Sequence, residues 1–593
     1  MKPNKIFFLL LLALMPASLD ADPVGVDKAR KIAEEFFSST MTRADNSEMY
    51  LLWSGNDIKN HLYTKASSAQ DDGELLYIFN SSDRNGYVII AGDDNVNPVV
   101  GYSFDRSFDV ENVPDALADL LASWSEYISD MRSAPSITQV RSAEHHPGNV
   151  VKKYETAKWS QGEPFNGLLP IYGGKRSITG CVATASSILM KHFNWPVKGV
   201  GVIPSYSYVD VFGTGRTVQE VALGHQYDYA NMLMDYSGSY SSVQAEAVST
   251  LMRDAGAAVQ MEYSYLASSA STIDMLKALT SYFGFSKEAR IETSDTYINY
   301  EWQEKLKNNI RNCGPTPIGA SGKEGRHMFI LDGYTTDGYF SINFGWGGLD
   351  DGYYLLPEAE YNMTYEAIVG LVPDRDGSTS YCDDIKLKAI FDNAGNAVYK
   401  GLYGLSSEFS AGQRFDLKLG AVINCAPVEF EGSLRLSLTD AEGKIVEETV
   451  WGPYEYGTLA PFYYFYFDSI SAKVSVIEEG YRLRLYYKGK YSDQWKWARS
   501  YDLNSYDELI LCATPEDVAR HLSVTISKTE KRFTFSSSLP LSYIVRDSDD
   551  STVASGTASS FTETVIDMSG FTSGEYIFSF ASGGDPYTFT LVL

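Results

Sequence analysis

Apolar positions in the first 130 residues follow two different periods. Val26, Ala29, Ile32, Ala33 and Phe36 recur every three or four residues, the spacing of one helix face. Leu75–Phe79 and Tyr87–Ala91 are short apolar runs around the polar stretch Asn80–Gly86, which predicts two strands and a turn. A second helical pattern opens at Pro114 and runs through Leu117, Leu120, Leu121, Trp124, Ile128 and Met131. Proline suits a first helical turn, where its missing N–H would be unpaired anyway. These elements predict an α+β module over residues 22–140. The polar stretch Ser133–Lys153 reads as an exposed, cleavable linker, assigned to 141–158.

Residues 159–375 mix helical and strand patterns. From Ser380 onward short alternating runs rich in Tyr, Phe, Thr and Ser are cut by Gly, Asp and Asn, as in Tyr576, Phe578, Phe580 and Tyr587, Phe589, Leu591. That texture predicts two β-sandwich, Ig-like modules, 380–512 and 515–593, joined at 514–520. At the other end, Lys2 and Lys5 precede the apolar run Ile6–Met15 and the small residues Ala17, Ser18 and Ala21. This predicts a signal peptide over 1–21 and a secreted or cell-surface protein.

The chain of 593 residues carries a net charge of −27, which argues against nucleic acid and anionic membranes as partners. Its five cysteines are too few for a disulfide scaffold, and the odd number leaves at least one thiol free within the chain. Cys181 lies in the segment Thr179-Gly180-Cys181-Val182-Ala183-Thr184-Ala185, whose composition predicts a helix beginning at or beside the cysteine and limited by Pro196. A thiol there meets unpaired N–H groups and the positive end of the helix dipole, which favour thiolate. A small buried cysteine on a helix fits the same residues. Cys313 falls at the negative end of a predicted helix, and Cys382, Cys425 and Cys512 fall in the β-rich tail, where disulfides or burial suit them.

Seven histidines allow elimination of base candidates. His192 lies on the same helix as Cys181 and about 16 Å along it, out of reach. His61, His145, His146 and His521 lie outside the central region, leaving His225 and His327. His327–Asp332 reads as a strand, Gly333–Gly338 as a turn and Tyr339–Phe344 as the return strand. A symmetric hairpin would set Asn343 opposite His327, where an amide could orient the imidazole. Upstream, Gln161 in Trp159-Ser160-Gln161-Gly162 could donate to an oxyanion together with the Cys181 N–H. Gly345-Trp346-Gly347-Gly348 sets an indole where it could wall such a site, with Phe344 and Gly180 as neighbours.

In this order, W-S-Q-G-x-P-F-N, T-G-C-V-A-T-A, a histidine on a strand ending in D-G, and N-F-G-W-G-G-x-x-D-G-Y-Y resemble the streptopain family of papain-clan cysteine peptidases. Gly86–Asp93 and Gly101-Tyr102-Ser103 resemble that family's propeptide, so the likeness covers residues 22–375.

The resemblance implies a papain-like catalytic domain over 159–375 behind an inhibitory prodomain removed by proteolysis. It implies Cys181 as nucleophile, His327 as base and acid, Gln161 as oxyanion donor and Asn343 as orienting partner. Protein or peptide substrates, no cofactor and no metal follow from it, and a monomer is expected. Where the family tends to have Gly, Ala and Trp, this chain has Arg326, Met328 and Phe344, which bears on substrate preference. Two other readings fit the same residues: a catalytically silent adhesin on a peptidase fold, and a transglutaminase or amidase using the same pair. The β modules would suit a cell-surface or glycan ligand.

Overall fold

The computed structural model describes residues 23–39, 48–60, 74–82, 85–133, 146–322, 325–357, 363–392, 397–405, 409–502, 505–527 and 531–592. The predicted signal segment and residues 134–145 of the predicted cleavable stretch lie outside these residues. The chain divides into two compact units, one ending at Ser380 and one formed by Tyr381–Leu593.

The first unit is a mixed α/β fold built on one antiparallel sheet. Helix α1 (Val26–Ser38) buries Ala29, Ile32, Ala33, Phe36 and Phe37, the periodic face read from the sequence. Strands β1 (Met49–Gly55), β2 (Leu76–Ser81), β3 (Tyr87–Ala91) and β4 (Val99–Ser103) follow, with β2 and β3 paired from Leu76↔Ala91 to Asn80↔Tyr87. Helix α2 (Asp115–Ser133) begins directly after Pro114. The sheet then continues without a break into the later region, because β4 pairs with the strand Gly352–Tyr354 through Tyr102↔Tyr353 and Gly101↔Tyr354. Beyond it lie Phe340–Asn343, Gly325–Thr335, Thr316–Gly322, Thr364–Val369 and Arg290–Thr293. α1 packs on one face; α2 shares the opposite core with Leu306, Ile310, Phe329 and Leu331.

Two sequence expectations are corrected here. The stretch 141–158 is not a linker throughout, because β5 (Val150–Lys153) pairs with the far end of Gly325–Thr335, and Thr156 and Ala157 are buried. The hairpin is not symmetric about its predicted turn either: Asn343 pairs with Ile330, whereas His327 pairs with Ala320 on the other side. Gly333, read as a turn residue, lies in the strand. A Cβ there would come within 2.5 Å of the Lys152 carbonyl oxygen, so the glycine admits β5 instead of turning the chain.

The second unit is almost entirely β. Among its described residues two five-stranded sheets enclose one core, which includes Leu417, Leu436 and Leu485. A three-stranded and a four-stranded sheet enclose another around Phe533, Phe578 and Phe580. The segment read as a joint is a short helix, Pro515–His521, N-capped by Thr514, whose own N–H donates reciprocally to the Asp517 carboxylate.

Candidate active site

Cys181 is the first residue of helix α3 (Cys181–Phe193), which ends at Asn194 in the left-handed conformation, φ 43°. Gly180 turns the chain into the helix with φ 81°. A Cβ at 180 would meet Met261 Sδ at 2.6 Å and the Ser268 carbonyl oxygen at 3.0 Å, so both conformation and space require glycine. The Gln161 carbonyl accepts from Thr179 N at 3.1 Å, which ties the Trp159–Gly162 segment to the approach to Cys181. Gln161 is buried.

The backbone N–H groups of Met328, Val182 and Cys181 converge on the Cys181 thiol, so α3 meets the histidine strand at the residue next to His327. These donors favour thiolate as the sequence suggested, but the net direction is opposite. Burial pushes the thiol pKa up, the N–H groups offset part of that, and the charge of Asp115 adds to it. The magnitudes explain the outcome. A helix N-terminus contributes about 0.3–1 kcal/mol, whereas stripping water from an ion costs several kcal/mol.

His327 is directed at the N-terminal module. Its Nε2 lies 3.7 Å from Oδ2 of Asp119 on α2, with the histidine side chain 18% exposed and the carboxylate buried. Asp119 was not singled out from the sequence. The available signal was a charged residue embedded in the run Ala116-Leu117-Ala118-Asp119-Leu120-Leu121 of a helix that buries its apolar neighbours. Arg326 is engaged away from the imidazole, donating to Glu366 Oε1 at 2.9 Å and Ser321 Oγ at 3.0 Å. His225, the second base candidate, lies 2.8 Å from buried Asp254, which also accepts from Tyr227 and Arg253.

Asn343 does not face His327 across the hairpin as expected. Its Nδ2 donates to Thr156 Oγ1 and to the Ala157 carbonyl, both at 3.0 Å, and its Oδ1 accepts from Gly345 N at 2.9 Å. Phe344 is buried, and its N–H donates to Asp351. Gly345, Gly347 and Gly348 all have positive φ, between 70° and 79°, and they hold Trp346 outward at 38% exposure. Gly345 abuts Thr184, one turn into α3. Gly347 N donates to the Trp159 carbonyl at 2.9 Å, linking this loop to the Gln161 segment. The N-terminal module reaches the loop as well, through Arg106 NH1 and the Gly347 carbonyl at 3.5 Å.

No disulfide links the five cysteines; of the two readings for the tail cysteines, burial holds for Cys425 and Cys512, while Cys382 is half-buried. Among the described residues no group of His, Cys, Asp and Glu could hold a metal ion, and no helix is long and apolar enough to cross a membrane.

Residues 159–354 match the Peptidase C10 family, and residues 21–128 match the Spi protease inhibitor family. The thiol protease/hemagglutinin PrtT of Porphyromonas gingivalis is 29% identical over 397 residues, 62% of this chain and 44% of that protein. The chain therefore spans less than half the length of that relative. Streptopain of Streptococcus pyogenes is 29% identical over 331 residues, 51% of this chain and 81% of streptopain. A solved prointerpain A fragment of Prevotella intermedia is 27% identical, covering 55% of this chain and 99% of the fragment, with a TM-score of 0.41. Over 159–354 the chain is similar to the Peptidase C10 family of cysteine-type peptidases, and ahead of that region it carries a segment similar to the Spi protease inhibitor.

Proposed function

We propose that this protein is a secreted cysteine endopeptidase made as a zymogen, with Cys181 and His327 as its catalytic pair. The observation that carries the reading is the Asp119–His327 pair. An inhibitor-type module puts a buried carboxylate against the one imidazole beside the α3 N-terminus, while the same closed state raises the Cys181 pKa. Withdrawing α2 would free the imidazole and rehydrate the thiol together. Cys181 thiolate then attacks a peptide carbonyl, His327 protonates the leaving amine, and water releases the acyl-enzyme. Gln161 and the Cys181 N–H would hold the oxyanion, and Asn343 would orient the imidazole. The segment 134–145 is the place for the activating cut, since the chain from Val150 onward is paired into the sheet.

In the second unit the paired sheets fit two Ig-like β-sandwich modules over 380–512 and 515–593. Exposed Tyr454, Tyr463, Tyr464 and Tyr466 would suit a glycan or cell-surface ligand.

The catalytic reading is tested by incubating the full chain with a thiol-directed epoxide and casein, for wild type, Cys181→Ala and His327→Ala. Label mapping to Cys181, casein cleavage by wild type alone, and uncut precursor in both variants are expected. Casein cleavage by processed Cys181→Ala would overturn it.

A further inference from the structure

Behind the strand Phe340–Asn343 runs a buried chain of hydrogen bonds that the dyad chemistry does not use directly. Asp332, on the same strand as His327, accepts from Lys153 Nζ through Oδ1 at 2.5 Å and from Thr156 Oγ1 through Oδ2 at 2.6 Å. The Thr156 oxygen then accepts from Asn343 Nδ2 at 3.0 Å. Thr156, Asp332 and Asn343 are all more than nine-tenths buried. The direction of each bond is forced by chemistry. A carboxylate only accepts, so the hydroxyl proton of Thr156 goes to Asp332 and its lone pairs face Asn343. Asn343 must therefore turn its NH₂ toward Thr156, where the Ala157 carbonyl takes the second proton. Its carbonyl oxygen is left pointing toward Gly345 N, with one lone pair still available.

We propose that Thr156 and Asp332, supported by Lys153, are positioning residues that fix the amide of Asn343 with its oxygen toward the catalytic imidazole. This rests on the reading of Asn343 as the partner of His327. With the amide reversed, an NH₂ group would face an imidazolium N–H and repel it. The chain enters the peptidase region through β5, so residues 153–156 follow shortly after the segment 134–145 proposed for the activating cut. Maturation must leave them in place, and an enzyme trimmed past Thr156 loses the device.

The test uses full-length precursor matured by wild-type enzyme and then freed of it, and reads the pH dependence of kcat and KM. Thr156→Val is expected to lower kcat about tenfold with KM nearly unchanged, and to move the alkaline limb down by about one pH unit, since the imidazolium loses an acceptor. Thr156→Ser keeps the hydroxyl and restores both. Asp332→Asn, which can donate to Thr156 and so permit the reversed amide, is expected to shift the limb in the same direction and covers the case where Thr156→Val does not fold. Asn343→Ala separates the two levels. If it leaves the alkaline limb in place, the reading of Asn343 fails. If it moves the limb while Thr156→Val or Asp332→Asn does not, the positioning proposal is overturned.

Discussion

The carboxylate of Asp119 and the imidazole of His327 face each other at 3.7 Å across the boundary between the inhibitor-type module and the peptidase region. Asp119 is buried on α2, so its charge is poorly screened and the pair is strongest with the imidazole protonated. Asp119→Asn keeps the shape and removes the charge. The expected outcome is weaker latency, with the precursor consumed about thirtyfold faster, in line with the 2 kcal/mol or so that a buried charged partner contributes. A gel time course of the purified precursor checks this. Unchanged precursor lifetime would mean that latency rests on steric cover alone.

A second contact across the same boundary is linked to protons. Asp350 is fully buried; its Oδ1 accepts from Asp109 N at 3.0 Å, and its Oδ2 has no hydrogen-bond partner among the described residues. The hydroxyls of Tyr87 and Tyr354 both donate to its backbone carbonyl. Burial first, then the charges of Asp109 and Asp351, raise its pKa from 3.8 to about 7. A carboxyl with a raised pKa in the closed state takes up a proton on closing. Its contribution to closure is complete below its ordinary value near 4 and is lost as pH rises through about 7. For Cys181→Ala precursor nicked in the 134–145 segment, the dissociation constant of the prodomain is expected to rise by up to tenfold per pH unit across that window. Asp350→Asn tolerates the φ of 53° and removes the titration, so its profile should be flatter. Equal slopes in the two proteins would assign the linkage to other groups.

Gly180→Ala tests how tightly the proposed nucleophile, Cys181, is set. The new methyl would meet Met261 and the Ser268 backbone in a conformation with φ 81°, which costs about 1–2 kcal/mol before any clash is counted. Since 180 adjoins the proposed nucleophile, catalysis should fall by more than a hundredfold while the melting temperature drops only a few degrees. Circular dichroism melting and casein turnover on the same preparation distinguish this from global unfolding, which would lower both together.

Local signals served well where one element decides its own structure. The periodic faces of α1 and α2, the β2–β3 pair and the start of α3 at Cys181 were all legible, because amphipathic spacing and helix punctuation are written within a dozen residues. The failures came where distant chain segments decide. Gly333 carries the same letter whether it turns a hairpin or admits β5, and only the arrival of Lys152 tells which. That single misassignment displaced the expected partner of Asn343 from His327 to Ile330. Asp119 and Thr156 belong to no motif, and Asp332 was read only as the end of the histidine strand; their roles come from contacts spanning up to 208 positions, as with Asp119 and His327.

The thiol itself offers a readout of the closed state. Cys181 is held above its ordinary pKa chiefly by burial, although three backbone N–H groups already point at it. Release of the prodomain is expected to rehydrate the thiol, remove the Asp115 charge and leave the N–H groups in place, which would turn the balance toward thiolate. Alkylation by iodoacetamide follows the thiolate fraction, and its rate against pH reports the midpoint. In uncut His327→Ala precursor the midpoint is expected above that of an ordinary cysteine, and in the same protein after nicking and prodomain removal it should fall below it. The His327→Ala background excludes an imidazolium contribution, leaving hydration and the helix N-terminus as causes. If the midpoint stays high after removal, the raised pKa belongs to the peptidase core itself, and the N–H groups at the start of α3 are too weak to activate the thiol without the histidine.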